Sequence, residues 1–228
     1  DYVIMWGWGA MNAGAITEAV KTKFDMSKFY GVWWSGHDAD LALVGDAGKG
    51  YKSISWSYPN ADAQVMADIK THVVDAGKSL SNPEEMAGVF YGRGLVMSMI
   101  LAEAIAGAQA EFDTGVITPA QLRDGLAGLN FTQARIDELG LTGMMAPFST
   151  SCADHTGHSG GWMIEWDGSQ FVQASDLLTA DRAAIEPGPT SDRAGGTSVS
   201  PLPRGRRDSG GSRGRRRAGA GGGRLVAG

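Results

Sequence analysis

Cysteine is almost absent from the 228-residue chain, and its single cysteine, Cys152, excludes an internal disulfide. A charged start followed by an apolar leader segment is also missing, so we expect either that a leader has been removed or that the sequence is part of a longer protein. Long apolar runs are scarce. The longest, GLVMSMILAEAIAGA, contains Glu103, and we predict that it is too short and too polar to cross a membrane.

The glycine motifs that bind phosphates are incomplete. In GDAGKGY, Gly45 stands three residues before Gly48, where a phosphate loop needs a longer spacing, and Gly50 replaces the Ser or Thr that would hold magnesium. The segment GWGAMN lacks the third glycine of a dinucleotide-binding turn. The sequence therefore excludes both nucleotide-binding motifs, and we predict no cofactor.

A metal or catalytic site would most readily form in the segment CADHTGH, which contains Cys152, Asp154, His155 and His158. A structural zinc site needs four well-placed ligands, and no Cys-x-x-Cys pair completes this set. Cys152 and His155 leave open a hydrolase with a cysteine nucleophile, but no neighbouring segment has the pattern of a nucleophile elbow or an activating helix start. We predict neither a metal site nor catalytic residues.

Charge is distributed very unevenly along the chain. Of the 20 basic and 25 acidic residues, nine arginines and two aspartates lie in residues 188–228, so this tail has a formal charge of +7 and residues 1–187 have one of −12. The tail contains 12 glycines and no aromatic residue, and we predict that it is disordered. A reading frame shifted near Pro187 would produce this composition. The alternative is a tail that binds nucleic acid, but it offers no aromatic platform for base stacking, and we expect no nucleic-acid partner.

Apolar runs and helical spacing alternate through residues 1–77. DYVIMW is typical of a strand buried on both faces, FYGVWWS is a second strand, and YKSISWSYP alternates between two faces. Helices are predicted between them over 11–24 and after them over 61–77, where Gly77 can form a left-handed cap. This alternation favours an α/β fold with a parallel sheet and right-handed crossovers.

Helices dominate the next part of the chain. The longest is predicted over 81–112, with Asn82 as its cap and Pro83 in its first position. Further on, Asp167-Gly168 between two alternating segments indicates a β-hairpin. LTADRAAIEP, at 178–187, is predicted to begin a last helix.

Tryptophans stand beside glycines where the first two predicted strands end. Trp8 and Trp34 lie at these carboxyl ends, and in an open α/β sheet ligands bind in the crevice outside the carboxyl ends of the strands. The polar side chains that could anchor a small molecule there are Asn12, Ser35, Asp38 and Asp40. The pattern therefore indicates a ligand cleft, and the alternative is that the tryptophans are ordinary core side chains.

Six segments in order carry a resemblance to a known family. They are DYVIMWGWGAMNAGAITEAV, FYGVWWSG, AGKGYKSISWS, VVDAG, YGRGLVMSMILAEAIAGA and WDGSQFVQASD. Together they resemble the C-terminal half of the branched-chain amino-acid (leucine/isoleucine/valine-type) substrate-binding proteins of bacterial ABC transporters, over about residues 1–187. The resemblance implies the type I periplasmic binding fold, in which two α/β lobes close over a ligand.

This resemblance also implies a division of the chain between the two lobes. Residues 1–60 would form the α/β core of the second lobe, 61–140 would supply helices of the first lobe, and 141–187 would return to the second lobe with the hairpin. One lobe is then largely present and the other partial, and 188–228 is the disordered tail.

The function implied is that of an extracytoplasmic binding component without catalysis, a periplasmic protein or a lipoprotein. Its partners would be a small-molecule ligand and the membrane permease of an importer. A ligand-sensing module of a receptor or regulator is an alternative within binding proteins, and the Cys/His hydrolase is an alternative of another class.

The resemblance places ligand contacts in the loops Trp6–Trp8 and Trp34–Gly36. Amino-acid binders offer a carboxylate to the ligand ammonium in the second loop, whereas here Asp38 comes a few residues later. The ligand class is therefore left open among amino acids, amides, aromatic acids and amines. The predicted ligand-binding residues are Trp6, Trp8, Asn12, Trp34, Ser35, Gly36 and Asp38.

Overall fold

A computed structural model describes residues 1–80, 82–157 and 160–180, which belong to one structural unit, Asp1–Ile185. The predicted disordered tail and the shifted frame near Pro187 lie outside these residues. The strands are β1 Val3–Met5, β2 Phe29–Gly31, β3 Lys52–Ser55, β4 Asn130–Phe131, β5 Phe148–Ser149, β6 Gly160–Trp166, β7 Phe171–Gln173 and β8 Leu178–Thr179. The α-helices are α1 Ala10–Lys21, α2 Asp38–Ala42, α3 Gln64–Ile69, α4 Val89–Glu111, α5 Pro119–Ala127 and α6 Gln133–Glu138.

The main sheet has the strand order β1-β2-β3-β6-β7, and β8 pairs with β6. The first three strands are parallel, as predicted, with Val3 opposite Phe29 and Tyr30 opposite Lys52. β6 then joins β3 in the antiparallel direction, with Ser53 opposite Ile164. The α/β fold class is confirmed, and the sheet is mixed because the chain returns to it through a long helical excursion.

The edge strand β1 corrects one prediction. Val3 and Met5 pack against buried side chains, but Tyr2 is 68% exposed and Ile4 is 79% exposed. The expectation that this strand is buried on both faces is wrong, because nothing within the described residues covers the face that carries Tyr2 and Ile4. β3 shows the predicted alternation, since Tyr51, Ser53 and Ser55 are fully buried on one face whereas Ile54 on the other face is exposed.

Two hydrophobic clusters stabilise the described residues. The sheet cluster lies between the main sheet and α1 and α2, and it consists of Ile16, Met26, Phe29, Leu41, Tyr51, Val89, Ile164, Trp166 and Phe171. The helix cluster consists of Ala63, Val65, Met66, Val96, Ala104, Leu129, Phe131, Ile136, Leu141, Met144 and Met145. The assignment of segments to two lobes stays a prediction.

The helix predicted over 81–112 is two helices. Asn82 caps as predicted, because its side chain accepts a hydrogen bond from the backbone N–H of Glu84, but it caps a 3₁₀ helix, Pro83–Ala87. Gly88 then adopts an extended backbone conformation, with φ −74° and ψ 151°, and α4 begins at Val89. The break has a physical cause, since the N–H of Val89 donates to the side chain of Asp38 and not to the preceding turn.

Helix α4 has the length and the apolar composition of a membrane-spanning helix. By length and composition alone, the prediction that the stretch around Glu103 is too short and too polar is wrong, because the helix extends on both sides of it to a total of 23 residues and is apolar enough over that length. In the structure, Val96 and Ala104 pack in the helix cluster, and Gly125 of α5 lies against Ala104 and Ala108.

The last described elements are strands. Asp167-Gly168 forms the predicted hairpin turn between β6 and β7, with Gly168 at φ +109°. The helix predicted from Leu178 is wrong at its start, because Leu178–Thr179 pairs with Gly160–Gly161 as β8. β6 extends beyond its pairing with β7, and this extension pairs with the short strand β8.

Candidate functional site

Two loops carry tryptophans to the same edge of the sheet. The loop after β1 contains Trp8, and the loop after β2 forms a single 3₁₀ turn, Trp33–Ser35. Because β1 and β2 are parallel, their carboxyl ends lie side by side. The ring centroids of Trp8 and Trp34 are 5.6 Å apart at 80°, an edge-to-face pair, and those of Trp33 and Trp34 are 4.4 Å apart. The predicted juxtaposition of Trp8 and Trp34 is therefore present.

These side chains form one wall of a cavity of about 390 Å³. We call Trp8, Trp34 and Phe90, which line this cavity together with Gly9, the aromatic wall. Trp8 is 58% exposed and Trp34 38% exposed, so both rings can be reached by a small molecule. Aromatic walls of this kind stack on flat apolar groups. Phe90 comes from the first turn of α4 and was not identified in the sequence, where nothing distinguishes it from a core phenylalanine.

Asn12 and Ser35 hold the two loops together beneath the aromatic wall. Both are fully buried. The Nδ2 of Asn12 donates to the carbonyl oxygen of Trp34 and to Oδ2 of Asp40, both at 3.0 Å. The hydroxyl of Ser35 lies 2.9 Å from the carbonyl oxygen of Gly7 and 3.1 Å from Oδ1 of Asn12. Their direct contact with a ligand stays a prediction, and their observed role is to position Trp34 beside Trp8.

The loop after β2 packs tightly against residues at and beside β3. The hydroxyl of Tyr51 donates to the carbonyl oxygen of Ser35 at 2.8 Å, and burial, with the nearby charge of Asp40, raises the pKa of Tyr51. Gly36 is buried, and a Cβ there would stand 2.7 Å from the Oγ of Ser53. Gly36 thus lets the loop lie directly on the sheet, and whether it touches a ligand is untested.

Asp38 joins the loop after β2 to helix α4. Its Oδ2 accepts a hydrogen bond from the N–H of Val89 at 2.8 Å, at the positive end of the helix dipole. The ring of His37 packs edge-on against Phe90, with centroids 4.1 Å apart. Asp38 also lines a second cavity, of about 700 Å³, with Glu84, Glu85 and Tyr91 among its other lining residues. A ligand contact by Asp38 stays a prediction, and its observed partner is α4.

Trp6 lies apart from the aromatic wall. It is 73% exposed and follows Tyr2 and Ile4 on the uncovered side of β1. It does not line the cavity that Trp8 and Trp34 line.

Arg93, between Gly92 and Gly94 on α4, is a functional candidate that is not among the predicted ligand-binding residues. It is 7% exposed, and its guanidinium carbon lies 5.1 Å from the ring centroid of Trp33, 5.8 Å from that of Trp56 and 5.0 Å from that of Phe90. Its Nη2 donates to the carbonyl oxygen of Trp33 at 3.0 Å. Burial lowers the pKa of Arg93 to about 10, so the side chain stays charged at neutral pH.

The described part of the CADHTGH segment does not line the cavity at the aromatic wall. Cys152 is exposed, and His155 lines an apolar cavity of about 630 Å³ beside Trp56, Leu126 and Phe148. Across residues 1–80, 82–157 and 160–180, no group of three or more His, Cys, Asp or Glu side chains is arranged to hold a metal ion. His158 is outside the described residues.

Replacing Asp38 with alanine is expected to lower the free energy of unfolding by about 1 kcal/mol, because α4 loses the acceptor at its first N–H. Asp38→Asn keeps an acceptor and is expected to lose less. Urea unfolding followed by circular dichroism measures both. Asp62→Ala, which removes an exposed carboxylate, is the matched control. If Asp38→Ala is as stable as this control, the hydrogen bond to Val89 contributes nothing to the free energy of unfolding.

Comparison with known proteins gives structural matches only, since neither a protein-family model nor a curated protein sequence matches the chain. A structure described as an ABC transporter permease from the Pseudomonas fluorescens group has a TM-score of 0.76 and 30% sequence identity, over 82% of this chain and 45% of that one. A branched-chain amino acid ABC transporter protein from Thermus thermophilus with bound valine has a TM-score of 0.61 and 23% identity, over 79% of this chain and 46% of that one.

A possible leucine/isoleucine/valine-binding protein from Rhodopirellula baltica SH 1 has a TM-score of 0.55 and 19% identity, over 76% of this chain and 42% of that one. The chain thus spans less than half the length of the structures it matches. The resemblance predicted from the six sequence segments is confirmed: the chain has the type I periplasmic binding fold of the branched-chain amino-acid class of ABC-transporter substrate-binding proteins.

Proposed function

We propose that the protein binds a small organic solute against the aromatic wall, as the solute-binding component of an ABC importer, and that it catalyses no reaction. The observation that carries this proposal is the cavity of about 390 Å³ at the carboxyl ends of β1 and β2, lined by Trp8, Trp34 and Phe90. Two elements distant in sequence, the strand loops and α4, meet there, which is the usual construction of a small-molecule site in an α/β fold.

The similar structures support a binding role over an enzymatic one. One of them holds valine, and another is described as a possible leucine/isoleucine/valine-binding protein. A protein of this kind would deliver its solute to a membrane permease and would work outside the cytoplasm. The aromatic wall favours a ligand with a flat or branched apolar body, because indole rings offer area and stacking at low cost in side-chain entropy.

Replacing Trp8 or Trp34 with alanine is expected to weaken ligand binding by about tenfold or more, because each substitution removes an aromatic anchor from the cavity wall. The probes are valine, benzoate, benzamide and phenyltrimethylammonium, first screened by thermal shift on the purified 228-residue chain. A ligand at a hundred times its dissociation constant adds about 2.7 kcal/mol of stability, and calorimetric titration then gives the affinity of each variant.

Tyr2→Ala is the matched control, because Tyr2 is an exposed aromatic residue next to the same strand but lies away from the cavity. Binding by wild type and by Tyr2→Ala, with loss in the two tryptophan variants, would support the proposal. If no probe stabilises the wild type, or if the tryptophan variants bind as tightly as wild type, the aromatic wall is not a ligand site.

A further inference from the structure

Arg93 is a buried positive charge enclosed by aromatic rings from three parts of the chain. Trp33 belongs to the loop after β2, Trp56 directly follows β3, and Phe90 lies one turn before Arg93 on α4. The guanidinium carbon is within 5.0–5.8 Å of all three ring centroids. Rings at this distance attract a cation through their negative faces, but they do not neutralise it.

No carboxylate balances this charge in the part of the chain that the structure describes. The ion pairs recorded there join other residues, and the nearest oxygen partners of Arg93 are the carbonyl of Trp33 at 3.0 Å and the hydroxyl of Ser55 at 3.5 Å from Nη2. The Nε of Arg93 is buried and has no hydrogen-bond partner there. A buried charge without a counter-ion is costly, and such groups are usually paired.

The charge lies directly behind the aromatic wall. Phe90 contacts Arg93 and also lines the cavity, and Trp33 contacts Arg93 and also packs against Trp34. A negative group of a molecule held at Trp8 and Trp34 would therefore meet the positive potential of Arg93 across one layer of rings. The cavity has a low-dielectric wall, which strengthens such an interaction.

The same arrangement disfavours a positively charged ligand. The faces of Phe90 and Trp33 are already directed at a guanidinium, so a second cation at this wall would meet like charge. The two acidic side chains nearby also have partners, since Asp38 accepts from the N–H of Val89 and Asp40 accepts from Asn12.

We infer that Arg93 selects the ligand class, and that the cleft binds small organic acids whose negative charge is attracted by Arg93 across this layer of rings while an apolar or aromatic body stacks on the aromatic wall. This inference rests on the proposed function and narrows it, because the sequence alone leaves amides, amines and amino acids open. The alternative is that Arg93 only fixes the loop after β2 through the carbonyl of Trp33.

The test compares matched ligands that differ in charge and little in shape. Benzoate and benzamide form one pair, phenylacetate and phenylacetamide a second, and phenyltrimethylammonium is the cation. Wild type is expected to bind each acid at least about tenfold more tightly than its amide, because Arg93 attracts the acid's charge across the wall, and to bind the cation most weakly. In Arg93→Met the affinity for the acids is expected to fall about thirtyfold, while that for the amides changes less than about threefold.

Two further variants separate charge from packing. Arg93→Lys keeps the charge but not the planar fork, so it should retain part of the preference for acids. Lys21→Met removes an exposed positive charge on α1 and should leave all affinities unchanged. If Arg93→Met does not fold, the preference of the wild type for acid over amide still tests the ligand class, and Arg93→Lys still tests the role of the residue.

The outcomes distinguish this inference from the proposed function. Equal binding of acids and amides by wild type, or equal loss of both in Arg93→Met, would overturn the role of Arg93 and leave the aromatic wall as a ligand site. Binding of no probe by the wild type would overturn both.

Discussion

Replacing Gly31 with alanine is expected to lower the free energy of unfolding by about 3 kcal/mol, at the upper end of what overpacking a core usually costs. Gly31 ends β2, and a Cβ there would overlap the hydroxyl of Tyr51 and would stand 2.6 Å from the Cβ of Ser35. Neither neighbour can move freely, because the Tyr51 hydroxyl is hydrogen-bonded to the carbonyl of Ser35 and both side chains are fully buried.

The same substitution should also weaken ligand binding, since Ser35 and Tyr51 position the loop that carries Trp34. Chemical unfolding followed by circular dichroism gives the stability, and calorimetric titration gives the affinity. Gly14→Ala is the matched control, because a Cβ at Gly14 in α1 meets open space. Alanine in a helix is favoured over glycine by about 0.5–1 kcal/mol, so this control should become more stable. A Gly31→Ala protein within about 1 kcal/mol of wild type would mean that the loop adapts, against our account of the site.

Replacing Trp166 with alanine is expected to cost about 4 kcal/mol, the largest effect that we predict. The side chain is 1% exposed in the sheet cluster, its ring packs edge-on against Phe171, and its Nε1 donates to the carbonyl oxygen of Gly45 at 2.9 Å. The variant loses apolar contacts, leaves a cavity and removes the hydrogen bond that ties the 3₁₀ turn Gly45–Gly48 to β6.

Two variants calibrate this result. Trp166→Phe keeps much of the apolar surface and should cost about 1–2 kcal/mol, mainly from the lost hydrogen bond. Trp8→Ala, at a ring that is 58% exposed, should change stability by less than about 1 kcal/mol although it removes a proposed ligand contact. The urea midpoints of Trp166→Ala, Trp166→Phe and Trp8→Ala rank the three variants by stability. A small loss in Trp166→Ala would show that the sheet cluster can collapse into the space left.

Local patterns in the sequence predicted those features that depend on neighbours along the chain. The alternation in YKSISWSYP predicted that Tyr51, Ser53 and Ser55 share one face, because side chains of a strand alternate strictly, and that face is the buried one. Asp167-Gly168 predicted the hairpin, because glycine reaches the positive φ that the turn requires. The tryptophans were predicted at two strand ends, and parallel strands bring their carboxyl ends together, which explains why Trp8 and Trp34 lie in contact.

The features that were missed depend on partners distant in sequence. The run at β1 cannot reveal whether a neighbouring layer covers Ile4. Gly88 breaks the predicted helix because Asp38, fifty residues earlier, takes the N–H of Val89. Phe90 and Arg93 have no local mark of function, and only the fold brings them to Trp33 and Trp34. Asn12 and Ser35 were identified from their position, but the sequence could not show that their polar atoms bond to each other's loops.

The late insertion of β6 into the sheet has a consequence for how the chain acquires its structure. Ser53 of β3 pairs with Ile164 of β6, so this contact must close a loop of more than a hundred residues. The helix cluster, in contrast, is built from residues 63–145, which follow one another along the chain. Contacts of short sequence separation form faster than distant ones, and ribosomes deliver the chain from its N-terminus. During synthesis the helix cluster can therefore condense while β3 still has an unpaired edge, and β6 fills that edge only after the hairpin has emerged.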